Sequence, residues 1–285
     1  MSFYLQKLVV KLPFKIFYRV FKSKLGQHLL KIQKLDVANQ NSIGSIFSHE
    51  KENFYKKINK NILMILYRDY YDTFHYKKIV RSNLHNYIEF ENLSILDESL
   101  KEERPIILYS AHFGRMIFPL ISLSKLGYDI SLVTADANSF SIKEKKFQKY
   151  KQDIIEKSLT GKIITNNRLK RIYNLLNNNN KILAVIVDNF EREYDNSCVR
   201  LDFLGKPVIC KRGIVKLGAK TKAIMIPYFA IENGKKISCK LGTPIDLLKI
   251  NQRDAVSKVY KSLEKEINAY PLFWWNWHLL NSEEK

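Results

Sequence analysis

The chain has 285 residues, 46% of them hydrophobic, which is ample for a sizeable core and argues against global disorder. Lys and Arg number 48 against 28 Asp and Glu, a net charge of +20 that favours a polyanionic partner: nucleic acid, an anionic membrane surface or an acidic carrier protein. Cys198, Cys210 and Cys239 are too far apart for a zinc-ligand pattern and read as reduced thiols.

The first 35 residues form a segment of their own, carrying many Lys and Arg and no acid. On a helical wheel Lys7, Lys11, Lys15, Arg19 and Lys22 fall on one side and Leu5, Val9, Leu12, Ile16 and Val20 on the other. That is the pattern of a basic amphipathic helix lying on a membrane surface, divided by Pro13. Its apolar stretches are cut by lysines, so neither a spanning helix nor a secretory signal is expected. Residues 36–285 then read as one α/β domain. Within 50–90 the apolar stretches at 62–67 and 70–74 predict two helices. Their Tyr and Phe, interleaved with Lys and Arg, are expected in the core or along an apolar groove rather than stacked on bases.

From residue 105 strands and helices alternate. Residues 105–109 predict a buried strand and 115–126 a helix, with Pro119 tolerable near its start. Strands follow at 129–134 and 161–165, and helices at 141–158 and 168–176. The asparagine run 177–180 predicts a turn, and 181–187 is the clearest buried strand, ending on Asp188. A helix at 211–219 precedes a strand at 223–231, which turns at Asn233-Gly234 into a hairpin partner at 236–241. The alternation predicts a mixed sheet flanked by helices.

His112 stands where the 105–109 strand gives way to a helix, the place where open α/β sheets hold ligands. Taken alone it is either a satisfied structural histidine or a general base. The acids Asp188, Glu191, Glu193 and Asp195 invite a metal reading, but no phosphate loop accompanies them and no metal is expected. Phe273-Trp274-Trp275 suits either a membrane interface or closure of the core.

Six segments in order resemble the late acyltransferases of lipid A biosynthesis, the lauroyl and myristoyl transferases of the lysophospholipid acyltransferase superfamily. They are the basic N-terminus, Tyr109-Ser-Ala-His112-Phe-Gly114, Val187-Asp188-Asn189, Asp202-Phe-Leu-Gly205-Lys-Pro207, Ile224-Met-Ile-Pro227-Tyr-Phe229, and Leu263-Glu-Lys-Glu-Ile267 followed by Trp274-Trp-Asn-Trp277-His278. The resemblance implies a glycerolipid-acyltransferase-like fold. It also implies transfer of a fatty acyl group, without a cofactor, from an acyl carrier protein or acyl-CoA thioester to an amphiphilic acceptor such as a lipid A precursor. The setting it implies is the cytoplasmic face of the inner membrane, with peripheral or monotopic attachment. The basic charge then has an acidic carrier and an anionic leaflet to meet, and no nucleic acid is expected, since no recognised module accompanies it.

In this family the histidine is followed five positions later by Asp or Glu, which orients the imidazole while the substrate itself serves as nucleophile. Here that position is Ile117. Three accounts follow: another carboxylate, with Asp188 first among candidates; a histidine working alone; or a non-catalytic acyl- or lipid-binding relative. Loss of the acid also allows a natural-product or other glycolipid acceptor. His112 and Asp188 are the expected catalytic residues. Gly114, Arg115, Asn189, Arg200 and Arg212 are the expected substrate contacts, and Arg115 as a neighbouring cation is expected to depress the histidine's pKa.

Overall fold

The computed structural model describes residues 13–16, 19, 53–81, 84–233 and 236–281. The expected basic helix at 1–35 lies outside these, apart from a short helical fragment in which Phe14 meets Tyr71 edge-on at 5.3 Å, with Arg68 over its ring at 4.3 Å. Among the described residues, no helix is long and apolar enough to cross a membrane.

The two helices expected within 50–90 are one: α1 runs unbroken through Asn53–Arg81. Its sequence contains neither Gly nor Pro, so nothing interrupts the backbone ladder. What looked like two apolar patches is one helix serving two cores, with Ile58 and Ile62 in the first and Tyr76 in the second. The aromatics at its centre are engaged by other rings: Tyr70 stacks on Phe147 at 4.9 Å, and Tyr76 on Phe118 at 5.2 Å.

Two elements that the sequence reading did not assign come next, β1 (Ile88–Glu91) and α2 (Ser94–Leu100). The alternating elements then follow as read: β2 (Ile106–Ser110), α3 (Ile117–Lys125), β3 (Ile130–Thr134), α4 (Ile142–Glu156), β4 (Ile163–Thr165), α5 (Leu169–Leu176) and β5 (Ile182–Ile186). After β6 (Phe190–Glu191), β7 (Cys198–Phe203) and β8 (Lys206–Lys211) come α6 (Gly213–Lys220), β9 (Ile224–Asn233), β10 (Lys236–Leu241), β11 (Ile245–Asp246) and α7 (Gln252–Ala269). The main sheet has the order β1-β10-β9-β2-β5-β3-β4, with β11 also beside β9. Strands β9, β2, β5, β3 and β4 run parallel, and β10, which pairs antiparallel with β9, is parallel to β1. It is the mixed sheet flanked by helices that the sequence predicts.

Every residue of β2 is buried, as befits a central parallel strand covered on both faces. The period of two divides its side chains. Ile107 and Tyr109 enter the core shared with α1, α5, α6 and α7, while Ile106 and Leu108 enter the core shared with α2, α3 and α4. The same alternation splits β5 and β9.

Strands β6, β8 and β7 form a separate antiparallel sheet that the sequence reading did not assign. The signal was present in the alternation of Cys198-Val-Arg-Leu-Asp-Phe203, buried at its two ends. The β7–β8 turn is the two residues Leu204 and Gly205, at φ +53° and +71°. A leucine in that conformation is held in part by Glu264 of α7, which accepts a 2.7 Å hydrogen bond from the Leu204 N–H.

Candidate active site

The site is built by strand adjacency. β2 and β5 lie side by side in parallel, with Ser110 opposite Ile186, so both chains leave the sheet at the same edge. One residue further, the Val187 N–H donates to the Ser110 carbonyl at 2.9 Å, and the Tyr260 hydroxyl donates to the Val187 carbonyl at 2.6 Å. Held from both sides, Val187 delivers Asp188 next to His112. His112 Nδ1 lies 2.7 Å from Asp188 Oδ1, and the His112 backbone N–H donates to Oδ2 at 2.9 Å.

Two more donors reach the same carboxylate oxygen: Trp274 Nε1 at 2.8 Å and Asn276 Nδ2 at 3.1 Å. Asp188 is wholly buried, while 28% of the His112 side chain is exposed. A buried carboxylate with this many donors is satisfied. The Asn276 amide nitrogen is also 2.9 Å from His112 Nδ1. Both nitrogens cannot place a proton between them. Nδ1–H therefore points at Asp188, the amide N–H goes to Oδ2, and Nε2 is left as the proton acceptor.

Burial works against a protonated His112, but the Asp188 charge and hydrogen bond outweigh it, and the imidazole titrates above the ordinary histidine value. Burial also works against ionised Asp188, yet the His112 charge and the donors around the carboxylate hold its pKa below the usual range. The expected depression of the histidine by Arg115 is therefore replaced by a rise. The rise comes from Asp188, and Arg115 is engaged elsewhere. Its Nη2 pairs with Asp72 of α1 at 2.6 Å and its guanidinium lies 4.2 Å from the centre of the Phe118 ring.

Gly114 sits at φ +52°, and a Cβ there would stand 2.0 Å from the Ala230 carbonyl oxygen. Only glycine lets the loop after His112 lie this close to β9. The Gly114 N–H donates to the Phe273 carbonyl, and the Trp275 N–H to the His112 carbonyl, both at 2.9 Å, with a bridge between Phe113 and Trp274. The tail after α7 is thus laid along the His-Phe-Gly loop. Trp274 and Trp277 are fully buried, in contact with each other at 4.9 Å, so of the two settings weighed for this tail they take core closure. Trp274 brings its N–H to Asp188 because an indole in a core needs an acceptor.

The remaining expected residues lie in other contacts. Ile117 begins α3 and packs, partly buried, on the second core. Asn189 is exposed, directly after Asp188. Arg200 reaches over Tyr194 at 5.2 Å, and Arg212 donates to the Asn196 carbonyl; neither of these contacts is with His112 or Asp188. Glu191 pairs with Lys211 at 2.7 Å and Asp195 caps Ser197, and no group of three or more potential metal ligands exists among the described residues. Sequence reasoning missed Asn276, and it weighed Trp274 only as interface or core. It also missed the Asp69–Lys151 pair (2.5 Å), whose opposed charges act on His112 from α1 and α4.

The crystal structure of the 1-acyl-sn-glycerophosphate (LPA) acyltransferase PlsC from Thermotoga maritima is 17% identical, with 93% of this chain and 95% of that chain covered at a TM-score of 0.37. A likeness at that level carries no argument about the site. No curated protein matches the sequence. The family described as bacterial lipid A biosynthesis acyltransferase matches residues 2–280. With nearly the whole length matched, the chain belongs to the bacterial lipid A biosynthesis acyltransferases, enzymes that transfer an acyl group to a lipid.

Proposed function

We propose that the chain moves a fatty acyl group from a carrier thioester to an amphiphilic, lipid A precursor-like acceptor at the cytoplasmic face of the inner membrane, with His112 as general base and Asp188 as the acid that orients it. The acceptor hydroxyl gives its proton to Nε2 as its oxygen attacks the thioester carbonyl. The tetrahedral adduct collapses, the C–S bond breaks, and the proton passes from the imidazolium to the departing thiolate. The ester and the free thiol leave a neutral histidine, so atoms and charge balance. Residues 36–285 carry the chemistry, and the basic segment 1–35 meets the anionic leaflet, each nearby Lys or Arg contributing about 1 kcal/mol to attachment.

The observation that carries this reading is the 2.7 Å His112–Asp188 contact, which supplies from the turn after β5 what Ile117 does not. The test gives purified protein a labelled acyl-carrier thioester and membrane extract. His112→Ala should lower transfer by about 10²- to 10⁴-fold, the range of general-base catalysis. Transfer unchanged in that variant would remove His112 from the chemistry, and binding of thioester or lipid without turnover by the wild-type protein would point to a non-catalytic relative.

A further inference from the structure

The acid of the site is held by the far end of the chain. The tail is fastened to the His112 loop by two backbone hydrogen bonds, from Gly114 to Phe273 and from Trp275 to His112. Trp274 is locked in the core between Phe203 at 5.8 Å and Trp277 at 4.9 Å. So fixed, the tail presents two side-chain N–H donors to a single oxygen, Oδ2 of Asp188. Asn276 is within hydrogen-bonding distance of both members of the pair, at 3.1 Å from Oδ2 and 2.9 Å from Nδ1.

We propose that Asn276, together with Trp274, is a positioning residue of the His112–Asp188 pair: its amide fixes the carboxylate, moderates the carboxylate's pull on the imidazole, and keeps Nε2 as the outward nitrogen. The proposal rests on reading His112 as the base. Neither residue touches a reacting atom in this reading; both act through Asp188. The sign of the effect follows from charge. Each donor on Oδ2 takes up part of the carboxylate's negative charge, so removing one leaves more of it to be met by protonating His112. The positive end of the amide beside Nδ1 acts in the same direction.

The charged and titratable groups that act on or beside His112 are Asp188 after β5, Asp69 on α1, Lys151 on α4 and His278 in the turn Trp277–Asn281. Asn276→Leu leaves all four in place and removes only the amide. Trp274→Phe likewise keeps a ring in the core and removes the Nε1 donor. In either variant the His112 imidazole, followed by NMR titration, should move to a higher midpoint. The acid limb of transfer should move up with it, and the maximal rate should fall about 10- to 100-fold, the scale of a hydrogen bond to a charged group. The donor KM should change far less.

A role confined to anchoring the tail would lower thermal stability without moving the midpoint. A midpoint unmoved in both folded variants overturns the proposal. If Asn276→Leu does not fold, Trp274→Phe decides. His112→Ala separates the two ideas: transfer that survives it sinks the base while the titration still reads positioning, and lost transfer with an unmoved midpoint keeps the base and sinks Asn276.

Discussion

Three residues apart on one loop, His112 and Arg115 each bury a charge contact, and the two pairs are built in opposite ways. Asp188 accepts from His112 twice, from Trp274 and from Asn276, and its pKa is depressed despite complete burial. Asp72 is 5% exposed and pairs with Arg115 at 2.6 Å, and the buried Arg115 Nε finds no hydrogen-bond partner among the described residues. Burial pushes the Asp72 carboxyl up to about 6, with Arg115 pulling only part of the way back. The contact distances are nearly the same, so distance does not separate the two pairs. Asp188 has the charge of His112 together with three further N–H donors to set against burial, whereas burial outweighs the cations beside Asp72. The first pair joins the ends of β2 and β5 and, in the proposed function, handles the proton; the second joins α1 to the loop at the start of α3.

The comparison breaks most visibly at Asp188. Asp188→Asn should cut transfer by about 10³- to 10⁴-fold, since Nδ1 loses the acceptor that sets its tautomer. The histidine's midpoint should fall as well. In the wild type His112 is raised, so its pairing stabilises the fold fully below the unfolded-state histidine value and is lost as pH climbs through the folded value. The stability lost in Asp188→Asn, measured by urea unfolding, should therefore be larger at pH 5 than at pH 9. An equal loss at both would show that the pair is not charged in the folded protein.

The second pair is sharpened by Arg115→Met. It strands Asp72 and should cost about 3–5 kcal/mol at neutral pH, by the same urea measurement, with most of it recovered in the double variant with Asp72→Asn. Because Asp72 titrates near 6 in the folded protein, above its unfolded value, its ionisation opposes folding as pH rises from the carboxylate range through 6. The defect of Arg115→Met should accordingly shrink in acid. A defect independent of pH would mean that its stacking on Phe118 carries the contribution. Smaller again is Gly114→Ala, which joins the two pairs through their shared loop. A non-glycine in this backbone conformation costs about 1–3 kcal/mol, and the loop must also move off the Ala230 carbonyl. Transfer should fall more than stability does, because the displaced backbone carries the His112 N–H that holds Asp188. Wild-type transfer with a stable Gly114→Ala would show that the loop tolerates the shift.

Much of this is legible in the amino-acid sequence. The runs at 105–109 and 181–187 and the segment at 223–231 read best as strands, and the alternation around them predicts the flanked sheet. Asp188 stood out because it ends an apolar run, as His112 follows one. The continuity of α1 was hidden because the apolar stretches at 62–67 and 70–74 look like two helices, although no residue between them breaks a helix. The β6–β8–β7 sheet was hidden because the Asp202 to Pro207 segment was read as a motif instead of a hairpin.

Which residues are apolar, at what period, and which polar residues interrupt them is written along the chain. That is enough for the sheet, its strands, the family wording and the departure at Ile117. Tertiary structure decided which interruptions meet. That β5 and not β3 lies beside β2 brings Asp188 to a histidine 76 residues away in sequence, and docking of the tail on the Phe113–Gly114 loop adds Trp274 and Asn276. It also turned Arg115 toward Asp72. Periodicity is a property of neighbours along the chain, whereas a buried carboxylate takes its donors from wherever strand order and packing leave them, and no local pattern records that choice.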